Sequence, residues 1–379
     1  MKFFEDIVAQ RLKYGQAVCG DTFVCFRGSE GTVLIVCDGI GSGVYANIAA
    51  ISCASRLREL LHMGVSLRVA AEMVATSMHK ARRAAIPFSA FSAAMVLNDG
   101  RFSVYTYESP EAICIQHGSA QVLKATFYTA GYEVVGEASG MLEMGDSLLL
   151  SSDGVTQAGL GHGHGFGIGA QGVAGFLNKQ ALRAADIHEL PERILAHCAS
   201  VSGGRHEDDT TLAALHCREA SQLSILTGPP SLPSKDAVYV GDFMAMTGKK
   251  VICGSTTTEI VGRELGREVT LLQAGASFGS PPEYFLEGVD LTTEGAIMLN
   301  QVYNILDEPV ESFQGGIVER VCAMLAAADV IHFFMGGVTN TAHATLLFKQ
   351  IGIMPRKKTL RLLMEKLQSM GKLVTERQY

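Results

Sequence analysis

The sequence predicts two domains, an α+β domain built from antiparallel sheets and a following α/β domain. In the first half of the chain, the strand-like runs Phe91–Asn98 and Arg101–Tyr107 are joined by the turn signal Asn98-Asp99-Gly100, which is typical of antiparallel strands. Beyond residue 228, strand-like and helix-like segments alternate, as they do in α/β layers. A length of 379 residues is also typical of two domains.

The boundary between the two domains is predicted near residues 220–228. The segment Thr227–Ser234 concentrates Pro, Gly and Ser in a short span, as linkers often do. We therefore assign residues 1–220 to the first domain and residues 228–379 to the second.

Periodicity predicts the main elements of both domains. The predicted helices are Val44–His62, Leu67–Ala84, Ala184–Ser200, Asp236–Met246, Ala296–Leu306, Ile317–Ala328 and Thr359–Met370. Further predicted strands are Ala112–Gln116, Leu148–Leu150, Lys250–Cys253 and Val330–Met335, and residues 12–27 also read as a strand.

Composition narrows the class of protein and its compartment. The net charge of −7 argues against a nucleic-acid partner, and no apolar stretch reaches the length of a membrane span. The 9 cysteines include no Cys-x-x-Cys pair, and the N-terminus carries acidic residues where a signal peptide would be apolar. We expect a cytoplasmic protein that binds neither nucleic acid nor membrane.

The first domain is organised around Val33–Gly43. In this stretch an apolar strand ends at Asp38-Gly39, and a glycine-rich turn leads into the first predicted helix. The same design recurs in Ser147–Val155, where an apolar strand ends at Asp153-Gly154. Each copy therefore presents one carboxylate at the end of a strand.

Further carboxylates lie at strand edges, although each also has an ordinary explanation. Asp21 follows Gly20 inside a strand-like segment and could be a turn residue. Asp208 and Asp209 belong to an acidic run just before an apolar strand, and such a run is usually a solvated loop.

Together, these carboxylates indicate a metal site. Carboxylates that converge in one cleft repel one another and need a compensating charge, which a divalent ion supplies. Oxygen-only ligands favour Mg²⁺ or Mn²⁺ over Zn²⁺. Two such ions can activate a water molecule and bind a phosphate, so the pattern predicts metal-assisted hydrolysis of a phosphoester without a protein nucleophile.

These motifs resemble those of the metal-dependent type 2C protein serine/threonine phosphatases. The matching motifs are Gly20-Asp21, Asp38-Gly39-x-Gly-x-Gly, Ser152-Asp153-Gly154-Val155 and Asp208-Asp209-x-Thr211. They resemble most the bacterial SpoIIE, RsbU and RsbX branch, over about residues 12–217. The resemblance implies a four-layer αββα sandwich, with two antiparallel sheets flanked by helices and two Mn²⁺ or Mg²⁺ ions in the cleft between the sheets.

The resemblance also implies roles for individual residues. Asp38 would bridge both ions, the Gly39 carbonyl would bind one of them, and Asp38 and Asp153 would be the catalytic residues. Asp21, Asp153 and Asp208 would complete the metal site directly or through water. Asp208 fits the motif better than Asp209 does, although Asp209 stays a candidate ligand.

The resemblance extends to the substrate and to the assembly. It implies hydrolysis of phosphoserine or phosphothreonine on a small regulatory protein of the anti-sigma antagonist type. In the same branch, the two helices after the first Asp-Gly can dimerise and move, which makes a homodimer a possible assembly.

The glycine-rich segment Gly159–Gly175 allows two interpretations. His162 and His164 could be metal ligands, but we favour a mobile loop beside the site, because loops of this kind act as lids. The resemblance also places this segment where the family carries a variable flap. A dinucleotide-binding loop is rejected, because no acidic residue follows at the usual distance.

The chain also departs from the family pattern. Many relatives have Glu where this chain has Gln157, and no obvious phosphate-binding arginine lies next to the first metal aspartate.

In the second domain, hydroxyl- and glycine-rich turns suggest a site for a small anionic ligand at the starts of helices. The candidate ligand-binding residues are Ser255, Thr256, Thr257, Asp290 and Thr339, on the segments Ser255–Glu259, Asp290–Glu294 and Gly336–Thr341. Ordinary helix capping explains the same residues, and Thr256 with Glu259 has capping-box spacing. The basic cluster Arg356–Lys358 is interpreted as solvated.

Two other functions stay open. The chain could be a catalytically weak sensor or scaffold whose C-terminal domain binds a small anionic ligand. A nucleotide-using α/β enzyme centred on the second domain is the weaker alternative.

Overall fold

The computed structural model describes residues 1–28, 30–179, 187–275, 281–338 and 353–379. It divides into two compact units. The first contains Met1–Phe26 and Glu30–Glu219, and the second contains Ala220–Tyr379 together with Arg27 and Gly28. No helix in these described ranges is both long and apolar enough to cross a bilayer.

The first unit contains two antiparallel sheets. Its strands are β1 (Lys2–Arg11), β2 (Asp21–Arg27), β3 (Gly31–Gly39), β4 (Ser89–Leu97), β5 (Arg101–Tyr107), β6 (Ile113–Gln116), β7 (Ser119–Val122), β8 (Thr126–Ala130), β9 (Glu133–Met141), β10 (Ser147–Ser151) and β11 (Thr210–Glu219). In the described part of the chain, one sheet has the order β1-β11-β10-β6-β7 and the other has the order β2-β3-β4-β5-β9-β8.

Helices cover the outer face of each sheet. They are α1 (Gly43–His62), α2 (Leu67–Arg83), α3 (Asp153–Thr156), α4 (Gly169–Lys179) and α5 (Leu190–Val201). Residues of α1 and α2 pack on the six-stranded sheet, and residues of α4 and α5 pack on the five-stranded sheet. The predicted four-layer αββα sandwich is confirmed.

The position of strand β3 between two apolar clusters explains why its sequence is almost continuously apolar. Val33, Ile35 and Cys37 face the helices, because they belong to the apolar cluster shared with α1 and α2. The alternate residues Leu34 and Val36 face the other sheet and join the cluster between the two sheets. A strand that is buried on both faces loses the polar alternation of a surface strand.

The second unit is a mixed sheet with helices on both faces. Its strands are β12 (Gln222–Thr227), β13 (Lys249–Cys253), β14 (Thr270–Gln273), β15 (Glu283–Phe285), β16 (Leu291–Thr293), β17 (Val330–Met335) and β18 (Leu373–Gln378). Its helices are α6 (Asp236–Met244), α7 (Ser255–Leu265), α8 (Ala296–Ile305), α9 (Ile317–Ala327) and α10 (Arg356–Ser369).

The sheet of the second unit is parallel over most of its width. Its order is β14-β15-β16-β13-β12-β17-β18, and the neighbours from β16 to β18 are parallel pairs. Helices α6 and α7 pack on one face, and α8, α9 and α10 pack on the other. The chain therefore starts at the centre, at β12, and winds outward in both directions, as in doubly wound α/β folds.

The start of the second unit differs from the predicted position. The unit includes β12, which ends at Thr227, so Thr227–Ser234 is the end of a strand and the segment after it rather than a linker between domains. Pro and Gly have the same local preference in both settings, so composition alone does not distinguish them.

Candidate metal centre

Asp21 and Asp38 lie at the same end of the six-stranded sheet. Asp21 is the first residue of β2, and Asp38 is the penultimate residue of β3. The Gly39 amide donates to the Gly20 carbonyl over 3.2 Å, which ties the start of β2 to the end of β3. The Ser89 hydroxyl donates to the Asp38 carbonyl over 2.8 Å and anchors the backbone there.

Asp153 and Asp208 lie at one end of the five-stranded sheet. Asp153 follows β10 and opens α3, whereas Asp208 precedes β11. The Ser152 amide donates to the Thr211 carbonyl over 3.0 Å, and the Thr211 amide donates to the Ser152 hydroxyl over 2.9 Å. These two hydrogen bonds hold the ends of β10 and β11 together.

A hydrogen bond across the two sheets brings the four aspartates into one centre. The Thr211 hydroxyl, from the five-stranded sheet, donates over 2.7 Å to Oδ2 of Asp21, from the six-stranded sheet. The carboxyl groups of Asp38 and Asp153 also lie close enough for each to shift the pKa of the other. The ends of the two sheets therefore form a single acidic cleft.

The carboxyl groups of this cleft have raised pKa values, as expected for carboxylates that lack a compensating positive charge. Burial raises the pKa of Asp38 far above its ordinary value, and the charges of Asp21 and Asp153 add to the effect. Burial also raises the pKa of Asp21, against the hydrogen bonds from Thr211 and Ser152. The pKa of Asp153 is raised by burial as well, and the Asp208 charge adds to it.

The donor set fits a hard divalent cation. It consists of carboxylate oxygens, and Oδ1 of the buried Asp21 has no hydrogen-bond partner. The one cation that pairs with these aspartates among the described residues is Lys13, whose Nζ lies 3.4 Å from Oδ1 of Asp208. No group of three or more His, Cys, Asp or Glu side chains in the described ranges is spaced so that it could hold a metal ion as it stands. The carboxylates would therefore have to draw together around an ion.

Asp209 has a different position from its neighbour Asp208. Its side chain is buried, Oδ1 accepts the Lys13 amide over 2.9 Å, and Oδ2 accepts the Gly20 amide over 2.8 Å. Both oxygens therefore hold the loop before β2 in place. This arrangement favours Asp208 over Asp209 as a metal ligand, and the ligand role itself stays a prediction.

Gly39 lies in close contact with α1. A Cβ atom added to Gly39 would lie 1.9 Å from the Ala46 carbonyl oxygen, so no larger residue fits there. Glycine is therefore required at position 39 by the close contact with α1 as well as by the turn.

A cavity of about 470 Å³ adjoins the acidic cleft. Its lining residues are Gly154, Gln157, Ala158, Leu160, His162, Cys198, Ser202, Arg205, His206, Glu207, Asp208 and Thr210. Sequence reasoning missed the wall contributed by Cys198, Ser202 and Arg205, because α5 and the loop after it come next to α3 only through tertiary packing. The run of polar residues before β11 was the sequence feature that could have indicated this wall of the cavity.

Gln157 connects this cavity to the aspartates, whereas His162 contacts Glu207. Gln157 Nε2 donates to Oδ2 of Asp153 over 2.6 Å. His162 Nε2 lies 3.7 Å from Oε1 of Glu207, which also accepts from Arg205 Nε over 2.7 Å. His162 therefore lines the cavity. His164 packs against Gly159, since a Cβ atom on Gly159 would lie 2.7 Å from its ring. The predicted loop Gly159–Gly175 ends early, because its second part forms the start of α4.

The structure separates the predicted ligand residues of the second unit. Ser255, Thr256 and Thr257 form the first turn of α7, just after β13 ends. Asp290 precedes β16, and its Oδ2 accepts the amide of Lys250 at the start of β13 over 2.8 Å. Because β13 and β16 are parallel, Asp290 lies at the opposite edge of the sheet, and the expected grouping is wrong.

Two other predictions about this part of the chain have different outcomes. Thr339 lies outside the described residues, and so does the end of Gly336–Thr341 after Val338. The N-cap of α7 is Gly254, without a side-chain capping bond, so Thr256 and Glu259 do not form the expected capping box.

Comparison with known proteins identifies the family. The family model of stage II sporulation protein E (SpoIIE) matches residues 28–218, just over half of the chain. The chain belongs to the SpoIIE family, which confirms the predicted resemblance. No curated protein sequence matches the chain.

Several solved structures are similar to the first unit. The RsbU and RsbW domains of Rv1364c from Mycobacterium tuberculosis are 21% identical, with a TM-score of 0.48, over 57% of this chain and 61% of theirs. The PP2C phosphatase domain of SpoIIE from Bacillus subtilis, with a fragment of its regulatory domain, is 18% identical, with a TM-score of 0.49, over 57% and 64%. RsbX in complex with magnesium is 17% identical, with a TM-score of 0.41, over 57% of this chain and 100% of RsbX. The chain therefore spans less than two thirds of the first two structures.

Proposed function

We propose that the first unit is a metal-dependent phosphatase that hydrolyses phosphoserine or phosphothreonine on a regulatory protein. The observation that carries this proposal is the meeting of Asp21, Asp38, Asp153 and Asp208 at the ends of two facing sheets, within the region that the SpoIIE family model matches.

In this proposal the aspartates hold two Mn²⁺ or Mg²⁺ ions. Asp38 and the Gly39 carbonyl would hold the ions, and Asp21, Asp153 and Asp208 would complete the site. When bound, the ions would activate a water molecule as the nucleophile and neutralise charge on the phosphate. Asp38 and Asp153 are the proposed catalytic residues, because they would hold the ions that act on the phosphate.

Neighbouring residues position this set. Gln157 orients the Asp153 carboxylate through its hydrogen bond, and Lys13 offsets part of the negative charge beside Asp208. Asp209 fixes the backbone of Lys13 and Gly20, and so places Asp21. The chain's own side chains therefore set the geometry into which ions and phosphate enter.

The cavity beside the cleft offers a place for the residues that flank the phosphorylated side chain. Arg205 and His162 line it and provide hydrogen-bond donors for a peptide backbone or an acidic side chain. A regulatory protein of the anti-sigma antagonist type is the proposed substrate, on the basis of the SpoIIE family.

The outer face of α1 supports a homodimer as the proposed assembly. Val44, Tyr45, Ile48 and Ile51 are large apolar side chains that are exposed there. The cytoplasm is the proposed compartment, since all nine cysteines are free thiols, as in a reducing environment.

A phosphatase assay with and without metal tests the function. We expect Mn²⁺ or Mg²⁺ to stimulate release of phosphate from p-nitrophenyl phosphate and from phosphoserine and phosphothreonine peptides. Asp153→Asn should abolish this stimulation, whereas Asp99→Asn, in an exposed turn, should retain it. Metal-independent turnover, or full activity of Asp153→Asn, would contradict the proposal. A wild-type chain without any turnover would favour the scaffold alternative.

A further inference from the structure

The parallel strands of the second unit place several loops along one edge. Strands β12, β13, β16 and β17 all end at this edge, which we call the carboxyl edge. Strands β13 and β17 flank the central strand β12 on opposite sides. The direction in which successive strands are added to the sheet therefore reverses at β12. In open α/β sheets, ligands bind outside the carboxyl ends of the strands at such a reversal.

Arg356 brings a positive charge to this edge. Its Nη2 donates to the carbonyls of Gly336 (2.8 Å) and Val338 (2.6 Å), which follow β17. Its Nη1 lies against Gly228, which follows β12, since a Cβ atom there would be 1.2 Å from that nitrogen. The guanidinium therefore lies between the loops that follow the two central strands. The expectation of a solvated cluster at Arg356–Lys358 is wrong for Arg356.

No carboxylate side chain of the described residues pairs with this positive charge. Burial lowers the pKa of Arg356, and Tyr239 is the neighbour whose charge opposes that shift. No carboxylate of the described residues forms an ion pair with it, and the residues of this unit outside the described ranges contain no Asp or Glu. Partly buried cations are normally paired, so this position points to an anion.

Helix α7 begins on the next strand of the same edge. Thr227 pairs with Cys253 in the parallel register of β12 and β13, so Gly228 and Gly254 follow neighbouring positions roughly 5 Å apart. Gly254 has a φ of 141°, and no side chain caps α7. The first intrahelical bond is from the Thr258 amide to the Gly254 carbonyl (2.9 Å), which leaves the preceding amides free to bind an anion.

Thr257 provides an independent sign of a ligand at this helix start. Its side chain is only 1% exposed, and its hydroxyl oxygen has no hydrogen-bond partner. That oxygen points toward the N-cap, because a Cβ atom on Gly254 would lie 3.0 Å from it. A buried hydroxyl without a partner costs free energy, and a bound oxyanion would remove that cost. Ser255 and Thr256, next to it, are exposed and leave the helix start open to solvent.

Glu294, which follows β16, is an acidic side chain at this edge. Burial raises the pKa of its carboxyl group, against the hydrogen bond that it accepts from the Ile297 amide. It therefore belongs to the start of α8 and does not neutralise Arg356.

We propose that the carboxyl edge of the second unit binds the phosphate group of a small phosphorylated metabolite. The α7 amides and the Thr257 hydroxyl would bind phosphate oxygens, and the guanidinium of Arg356 would balance their charge. The planar guanidinium of an arginine can donate two parallel hydrogen bonds to a phosphate, and it therefore suits phosphate better than the point charge of a lysine does. The proposal does not depend on the activity of the first unit.

Calorimetric titration of the full chain tests this site, with inorganic phosphate and glycerol 3-phosphate as the probes. The titration is done in EDTA, so that the aspartates of the first unit carry no metal ion that could bind phosphate. We expect saturable binding of both probes. The phosphate should also slow amide hydrogen exchange of the residues at the start of α7.

Matched variants locate the binding. Arg356→Met should raise the Kd about tenfold, since one charge-assisted pair is lost. Thr257→Val, which keeps the side-chain shape, should raise it about threefold. Arg361→Met, on the exposed side of the same helix, should leave it unchanged. Circular dichroism melting of each variant shows whether it folds, and Arg356→Lys, which keeps the charge but not the fork, should bind with intermediate affinity.

Several results would overturn the proposal. They are a lack of saturable binding of both probes, equal affinity of Arg356→Met and the unmodified chain, or an equal loss in Arg361→Met. Tighter binding of acetate than of phosphate would overturn the assignment of the ligand class.

Discussion

The strand ends that form the candidate site of the first unit carry Asp21, Asp38, Asp153 and Asp208, with Lys13 as the cation that pairs with them. The carboxyl edge of the second unit carries instead Arg356, which pairs with no carboxylate side chain of the described residues, and a helix start without a capping side chain. In each case a fold has gathered charge of one sign beyond what its own residues neutralise. The comparison teaches that the missing partner can be inferred by its charge, a cation for the first unit and an anion for the second.

The largest effect on activity is expected when the carboxylate of Asp38 is removed. Asp38→Asn should reduce metal-stimulated hydrolysis by on the order of 10³-fold, because a ligand common to both ions is lost. The same variant should lose the stabilisation that Mn²⁺ gives to the chain, measured as the shift in unfolding temperature. Unchanged stabilisation by Mn²⁺ would place the ions elsewhere.

Substitutions of Asp208 and Asp209 distinguish a role in metal binding from a role in loop structure. Asp209→Ala should lower the free energy of unfolding of the first unit by about 3 kcal/mol, because two backbone amides lose a charged acceptor. Asp208→Ala should change it little but should weaken Mn²⁺ binding. Urea unfolding and calorimetric titration measure the two effects, and the opposite pattern would exchange the two roles.

Gln157 gives an intermediate effect. Gln157→Ala should weaken Mn²⁺ binding about tenfold, since Asp153 loses the hydrogen bond that orients it. Gln157→Glu provides the matched control, because it restores the residue found in many relatives and keeps the size of the side chain. If Gln157→Ala bound Mn²⁺ as well as the unmodified chain, Gln157 would have no role in positioning.

The smallest effect is expected at the other edge of the second unit. Asp290→Ala removes one exposed hydrogen bond to the Lys250 amide and should cost about 0.5–1 kcal/mol of stability. It should leave phosphate binding unchanged, because Asp290 lies opposite the carboxyl edge. A loss of phosphate binding in this variant would show that both edges contribute to the ligand site.

The sequence was informative where function depends on local patterns. An apolar run that ends in Asp-Gly predicts both a strand and the place of its carboxylate, so Asp38 and Asp153 could be found without a structure. The preference for Asp208 over Asp209 came from the family motif, and the hydrogen bonds of Asp209 now give it a physical reason.

Other features depend on which strands become neighbours, and local patterns do not contain that information. Asp290 and Ser255 both lie next to strands, yet they lie at opposite edges, because Asp290 precedes β16 and Ser255 follows β13. Arg356 belongs to a basic run that is typical of a solvated surface, but the loops after β12 and β17 enclose it. Strand β1 was also missed, because its alternation is irregular and its place is set by pairing with the distant β11.

The contact between Gly39 and α1 has a mechanical consequence. The Ala46 carbonyl leaves no room for even a methyl group at Gly39, so helix and strand terminus touch backbone to backbone. At this point no side chain separates α1 from the strand end, so a shift of the helix toward Gly39 would displace the peptide next to Asp38. A displacement of α1 at this point would therefore also move the strand end that carries Asp38.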